Sequence, residues 1–262
     1  MISHRRVTAM ILRYTINMKH SFDRLSDMFY WPAMDLFIWG LTGLYFAKLT
    51  PNNSQTIIVL LTGLIFWTVI WRAQYEITTN LLSEMWDNNL VNIFASPLKV
   101  SEWILSVIIY GFIKMTLSLF FSAFIAFLLY HYPVFKYGIY TIPIVASLVM
   151  TGWAAGFFVA GLIIRYGQKI QTTAWTGAYL IAPFSALYYP VTVLPVWAQK
   201  IAIFTPSSYM FESMRQILLN GTISYDKFLI SFALNIIYLV LSIWFFNYMF
   251  KKSKKNGLGR LS

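Results

Sequence analysis

The sequence predicts an all-α membrane protein: about six transmembrane helices, an amphipathic interfacial helix ahead of them, and re-entrant helices on the outer side before the last span. Three observations predict this. First, only 11% of the residues are charged while 58% are hydrophobic, against about 25% charged in soluble domains. Such a chain cannot cover a water-facing surface, and its surplus apolar area must meet lipid. Second, the apolar residues gather into six runs near or above the ~20 residues that cross a bilayer. Third, those runs are too long for strands and lack the two-residue alternation of a barrel.

Residues 5–28 come first. Val7, Met10, Ile11, Tyr14 and Met18 recur at helical spacing, with Arg5, Arg6, Arg13 and Lys19 on other faces. This is the pattern of a helix lying in the headgroup region. They contain no apolar core, so no cleavable signal is read there. The six spans fall at 31–48, 56–72, 103–130, 137–164, 175–194 and 228–250. Polar turns, Pro51-Asn52-Asn53-Ser54 and His131-Tyr132-Pro133, separate neighbours. Residues 73–102 form a cytoplasmic loop that keeps Leu81, Leu82, Met85, Trp86, Leu90, Ile93 and Phe94, a mixture suited to docking a soluble partner. Residues 195–226 form an outer segment in which Pro195 and Pro206 interrupt apolar sequence, as in short helices dipping into the outer leaflet. Residues 251–262 are a basic cytoplasmic tail, and the whole of 1–262 reads as one domain.

Lys and Arg set the orientation. With the N-terminus inside, fourteen fall on the cytoplasmic side: Arg5, Arg6, Arg13, Lys19, Arg24, Arg72, Lys99, Arg165, Lys169 and the tail's Lys251, Lys252, Lys254, Lys255 and Arg260. Five fall outside: Lys48, Lys136, Lys200, Arg215 and Lys227. This asymmetry places both termini in the cytoplasm of a multi-pass plasma-membrane protein, in a bacterium the inner membrane. The net charge of +11 would raise nucleic-acid binding in a soluble protein. Here the basic residues flank apolar runs, so they set topology and touch anionic lipid headgroups, and no nucleic-acid partner is expected.

Catalytic chemistry is sparse. The chain has no cysteine, which removes disulfides and thiolate chemistry. There is no phosphate-binding G-x-x-x-x-G-K-[ST] loop and no H-E-x-x-H. His4, His20 and His131 are scattered, so no metal site is expected. If ATP drives the protein, the ATPase is another chain, which would hold the ATP and Mg. Only Asp35 and Lys114 fall clearly inside spans, where each charge costs roughly 2.5–3.5 kcal/mol on insertion scales. Their depths differ by about 7–8 Å at 1.5 Å per residue, within reach of a snorkelling lysine, so an ion pair tying spans one and three is expected. Most span-end aromatics fit an interfacial belt, although a sugar-stacking channel could use the same rings. Gly152 and Gly156 supply a G-x-x-x-G that permits close helix packing, within one chain or between two.

Two stretches carry a resemblance. One runs Glu84-Met85-Trp86-Asp87-Asn88-Asn89-Leu90-Val91-Asn92-Ile93-Phe94-Ala95-Ser96-Pro97-Leu98, followed by Glu102. The other contains Tyr189-Pro190, Leu194-Pro195, Trp197, Pro206, Glu212, Arg215 and Gly221. In their order relative to the spans they resemble the permease subunits of type-2 ABC exporters, which export drugs, lipids and polysaccharides. The first resembles the cytoplasmic coupling segment, although Asp87-Asn88-Asn89 stands where basic or glycine residues are frequent. The second resembles the outer re-entrant helices. The resemblance implies a permease homodimer and a soluble ABC ATPase subunit that docks on the coupling segment. Under it, Trp86, Leu90, Ile93 and Phe94 are either apolar knobs for an ATPase groove or part of the permease's own inner surface. Glu212 and Arg215, at helical spacing, either pair or gate the exit, and the pair is favoured. Two other classes compete: a secondary transporter or channel, which few buried charges would serve, and a membrane transferase, for which the nine scattered acids offer no ligand cluster.

Overall fold

The computed structural model describes residues 2–49, 54–132 and 134–255. Pro51–Asn53, Pro133 and the end of the tail, with Arg260, lie outside the described residues. Ten α-helices follow in order: α1 His4–Lys19, α2 Phe22–Leu49, α3 Ser54–Trp86, α4 Leu90–Ala95, α5 Val100–Tyr130, α6 Thr141–Tyr166, α7 Thr173–Thr176, α8 Val196–Ile203, α9 Pro206–Asn220 and α10 Tyr225–Lys255. Short 3-10 turns fill several connections, and no strand occurs among the described residues. The protein is an all-α membrane protein. Four stretches among the described residues are long and apolar enough to cross a membrane: Ile58–Trp86, Val100–Tyr130, Tyr137–Ile170 and Tyr225–Lys255.

Three expectations need correction. Residues 5–28 are not one helix: α1 stops at Lys19, and α2 begins at Phe22 and continues through the expected first span. Residues 73–102 are not a loop: α3 runs on through Trp86, and α5 starts at Val100. Residues 175–194 are not a continuous span. They break into α7 and the 3-10 turns Ala178–Leu180, Ala182–Phe184 and Val191–Val193, interrupted by Gly177, Pro183 and Pro190. Hydropathy reports compatibility with lipid, not helicity, and those residues remove donors or relax the backbone.

Helix lengths shape the molecule. The 33 residues of α3 and the 31 of α5 extend about 50 and 46 Å, against a hydrocarbon core of about 30 Å. Both helices are therefore longer than an upright crossing needs, and α4 lies between their adjoining ends. In α2, Pro32 withholds a backbone donor, and the Met28 carbonyl one turn earlier receives the Ser118 hydroxyl of α5 at 3.0 Å instead. Between α6 and α10, Ser147, Thr151, Ser231 and Asn235 form a buried chain of hydrogen bonds of 2.8–2.9 Å, the polar contact that replaces hydrophobic attraction between helices in lipid.

The two glycines of the G-x-x-x-G act within the chain. A Cβ on Gly152 would lie 2.5 Å from the Ile70 carbonyl oxygen, and one on Gly156 would lie 2.9 Å from Ile77 Cδ1, both on α3. Gly152→Ala is therefore expected to push α6 off α3 and to cost about 1–3 kcal/mol of overpacking, whereas Gly156→Ala, which meets the end of a flexible side chain first, costs less. Thermal unfolding of the two variants in detergent measures the difference.

Candidate functional site

Three constellations join elements far apart in sequence. The first surrounds α4. Helix α1 lies on α5 and buries Val7, Met10 and Tyr14. Two of its arginines, seven residues apart, reach carboxylates on either side of α4: Arg6 meets Glu102 at 2.6 Å and Arg13 meets Glu84 at 2.7 Å. Glu102 also accepts from the backbone N–H groups of Ser3 and Lys99, at 2.8 and 2.9 Å, and the hydrogen bond to it raises the Arg6 guanidinium above its ordinary value. The Tyr14 hydroxyl accepts from Trp103 Nε1 at 3.0 Å; burial raises that phenol well above its usual range.

The chain's own packing divides the predicted coupling residues. Glu84 and Met85 are buried. Leu90 and Ile93, at 4% and 7% exposure, join the core beneath α4, and Phe94 sets its ring against Trp103 and Phe250. These three are therefore not outward knobs, because a six-residue helix laid across α3 and α5 needs its one apolar face to hold it there. Trp86 is exposed, stacks on Trp175 and donates to Gln171 Oε1 at 3.2 Å. The outward face of α4 carries Val91, Asn92 and Ala95, continued by Ser96 and Pro97. The Ser96 hydroxyl closes α4 by donating to the Ile93 carbonyl.

The second constellation is a buried charge network. Lys114 Nζ lies 2.6 Å from Glu76 Oε1, and Arg72 Nη1 lies 3.7 Å from the same oxygen and 2.8 Å from Asp27 Oδ2. Arg72 Nη2 also donates to the Asp27 carbonyl, and Trp71 and Tyr75 flank its guanidinium. This corrects the expected Asp35–Lys114 pair. Because α3 is continuous, Glu76 faces Lys114, and Gly111, one turn before Lys114, lets the helices close: a Cβ there would stand 3.0 Å from Glu76 Cβ. Asp35 has no ion pair among the described residues. It is half-buried, within electrostatic reach of Tyr179 and Tyr188. Two charges, Arg72 and Glu76, thus join Lys114 inside the bundle. Beside them Asp23, Arg24, Thr79, Tyr110 and Trp175 help to line a polar cavity of 270 Å³.

The third constellation explains how the broken fifth segment is satisfied within an apolar bundle, where each unpaired backbone group costs several kcal/mol. Side chains supply what a helix would. Gln74 Nε2 and Thr78 Oγ1 of α3 both donate to the Ala174 carbonyl, at 2.9 and 3.0 Å, and Gln74 Oε1 accepts from Ala178 N–H. Arg215 Nη2 donates to the Ala186 carbonyl at 2.8 Å. Glu212 Oε1 accepts from Val191 N–H at 2.8 Å and from Arg215 Nη1 at 2.9 Å. Glu212 and Arg215 therefore form the structural pair, clamped on 186–191. Pro190 precedes the Val191–Val193 turn, Pro195 caps α8 and Pro206 opens α9. Gly221 ends α9 at φ +66°, a left-handed cap.

The elbow between α8 and α9 follows the same rule. Its carbonyls at Ala202, Ile203, Phe204 and Pro206 accept from the hydroxyls of Ser208, Tyr209, Tyr238 and Ser231, at 2.7–2.9 Å. Ser231 and Tyr238 lie six and thirteen residues into α10, about 9 and 20 Å along its axis, so the elbow reaches deep beside that helix. Sequence patterning joins none of Gln74, Thr78 and Glu76 to a site, and it marks Arg6 and Arg13 only as basic residues of the first helix. The available signals were the seven-residue spacing of the two arginines and the four-residue spacing of Arg72, Glu76, Asn80 and Glu84.

Irregular backbone within an apolar bundle is tolerated where it lies in protein or lines a water-filled cavity, and here the side chains of α3 and α9 satisfy it. Residues 9–219 match the ABC-2 type transporter family, and the chain belongs to that family, as a multi-pass membrane permease. Members of the family generally pair with an ABC ATPase and often dimerise. No curated protein matches the chain.

Proposed function

We propose that this chain is the permease subunit of an ATP-driven exporter, forming the path for an amphiphilic drug, lipid or lipid-linked glycan. A separate ABC ATPase drives it and holds the ATP and Mg, and two permease chains build the path. Both termini and α4 face the cytoplasm. The observation that carries this reading is α4 itself: a short helix with an outward face of small and apolar residues, set between the ends of α3 and α5, whose Glu84 and Glu102 are tied to α1. A push on α4 is passed to three helices at once. ATP binding, by favouring one arrangement of the ATPase pair, biases the bundle between two states.

The test uses the absence of cysteine. A single Ser96→Cys is expected to react with a membrane-impermeant maleimide in inverted vesicles and to stay unlabelled in intact cells. An ABC ATPase co-expressed from the same gene neighbourhood is expected to co-purify with the chain. Labelling of Ser96→Cys from outside would overturn the orientation and, with it, the coupling role.

The charge network weighs against proton coupling, since Lys114 and Arg72 hold Glu76 and Asp27 in ion pairs. Asp35→Asn is therefore expected to leave ATP-dependent export within about twofold of the parent, as for a site away from any buried network, measured by uptake into inverted vesicles. Complete loss would favour a proton-driven carrier.

A further inference from the structure

A lateral cavity of 670 Å³ runs between α6 and α10, floored by Ala154, Ala155 and Gly177 and walled by Phe158, Leu241 and Phe245. The broken fifth segment borders it: α7 and the turn after it pack on α3 and α6, and Thr173, Thr176, Gly177, Leu180 and Ile181 line the space beside the α6–α10 pair. The elbow residues Phe204 and Thr205 roof one end. From Asn235 to Phe245 the cavity follows ten residues of α10, about 15 Å, which is half of a ~30 Å hydrocarbon core.

Its chemistry is specific. The hydroxyls that touch it spend their protons inside the protein: Thr151 on Asn235, Tyr238 on Phe204, Thr205 on Ile201, Thr173 on Ile170, Thr176 on Thr172 and Ser242 on Leu239. The Asn235 amide is spent on Ser147. The hydroxyl and side-chain amide donors of the lining are thus spent, and apart from the exposed Trp244 indole the cavity favours hydrocarbon over a polar guest. Beyond the open end the same stripes turn basic. Arg165 follows Phe158 and Leu162 at helical spacing on α6, and Lys252 follows Phe245 by seven residues on α10. Trp244 and Tyr248 stack nearby, at 5.9 Å between centroids, as aromatics do at the headgroup level. Neither Arg165 nor Lys252 has an ion pair among the described residues.

We propose that this cavity is a lipid site. It holds one acyl chain of an anionic phospholipid from the leaflet at the basic-tail end of α10, with the headgroup phosphate between Arg165 and Lys252. The elbow stops the chain at the bilayer midplane, and so sets its length to one leaflet. That this leaflet is the cytoplasmic one rests on the orientation proposed above; the site does not.

The purified chain in nanodiscs tests it, with a phosphatidylglycerol or phosphatidylcholine carrying a diazirine midway along one acyl chain. Adducts are expected to concentrate on residues 151–162 and 235–245 and to favour phosphatidylglycerol. Leu241→Trp, at a position 55% exposed and on the cavity wall, and Ala155→Trp should each cut those adducts about fivefold, the loss of one or two buried methylenes. Ile237→Trp, 53% exposed but off the cavity, should leave them unchanged. Arg165→Gln with Lys252→Gln should bring the two lipids to equal yield. The proposal is overturned if adducts spread evenly over the exposed face of α10, if neither tryptophan on the wall lowers them, or if Leu241→Cys cross-links to a second copy, which would make the occupant another chain. No ATPase or transport enters the measurement, so failure here leaves the coupling reading intact.

Discussion

Glu76→Gln is expected to destabilise the bundle by about 3–5 kcal/mol, the cost of leaving a buried cation without its counter-charge. Glu76 is the only acid among the described residues that pairs with Lys114, which is almost completely buried in α5. Its removal leaves the ammonium near the Tyr110 ring with no other acid within ion-pair distance among the described residues. Arg72 loses less, because Asp27 still holds it through both side chain and backbone. The reverse change, Lys114→Met, should cost less than Glu76→Gln. The carboxylate keeps Arg72 at 3.7 Å and the Asn80 amide, and a methionine fills the space of the lysine stem. Thermal unfolding in detergent gives the order, and the double variant should recover much of the loss, since replacing a buried pair by apolar groups is often neutral. Equal effects of the two single changes would mean that the network does not close as the distances indicate.

The second large effect separates partner contact from folding on one short helix. Val91→Asp with Ala95→Asp, both on the outward face of α4, should leave thermal stability within about 0.5 kcal/mol, as surface changes do. The same pair should lower ATPase co-purification and ATP-driven export at least about tenfold, the effect of a charge set in the centre of an apolar contact. Ile93→Asp, two residues away but inward, should do the opposite in kind. It buries a carboxylate beneath α4 and costs several kcal/mol, so the chain is lost from the membrane before coupling can be assayed. If Val91→Asp with Ala95→Asp left ATPase binding intact, α4 would not be the docking helix.

Much of this architecture was legible in the residues. A composition too apolar for water forces helices in lipid, and five of the six runs fall on α2, α3, α5, α6 with the 3-10 turn before it, and α10. The E-x-x-R at Glu212 and Arg215 announced a pair at helical spacing, and that pair is present. Other features were hidden. Residues 73–86 read as a loop because Glu76 and Glu84 lower the hydropathy. Yet Arg72, Glu76, Asn80 and Glu84 recur every four residues, a stripe that only a continuous helix turned towards other charged helices can use. The opposite error came at 175–194, where uniform apolarity looked like a span.

What the sequence determines by itself is the solvent. Too few charges, and long apolar runs between basic flanks, leave lipid as the only medium in which this chain buries its surface. What only the tertiary structure decides is which polar group answers which. Lys114 meets Glu76 and not Asp35 because α3 is unbroken and Gly111 lets it close on α5. The fifth segment can abandon the helix because Gln74, Thr78, Glu212 and Arg215 reach it from elements far away along the chain. Hydropathy is additive along a chain and can be read locally, whereas the pairing of buried polar groups depends on distances between helices, which no single segment carries.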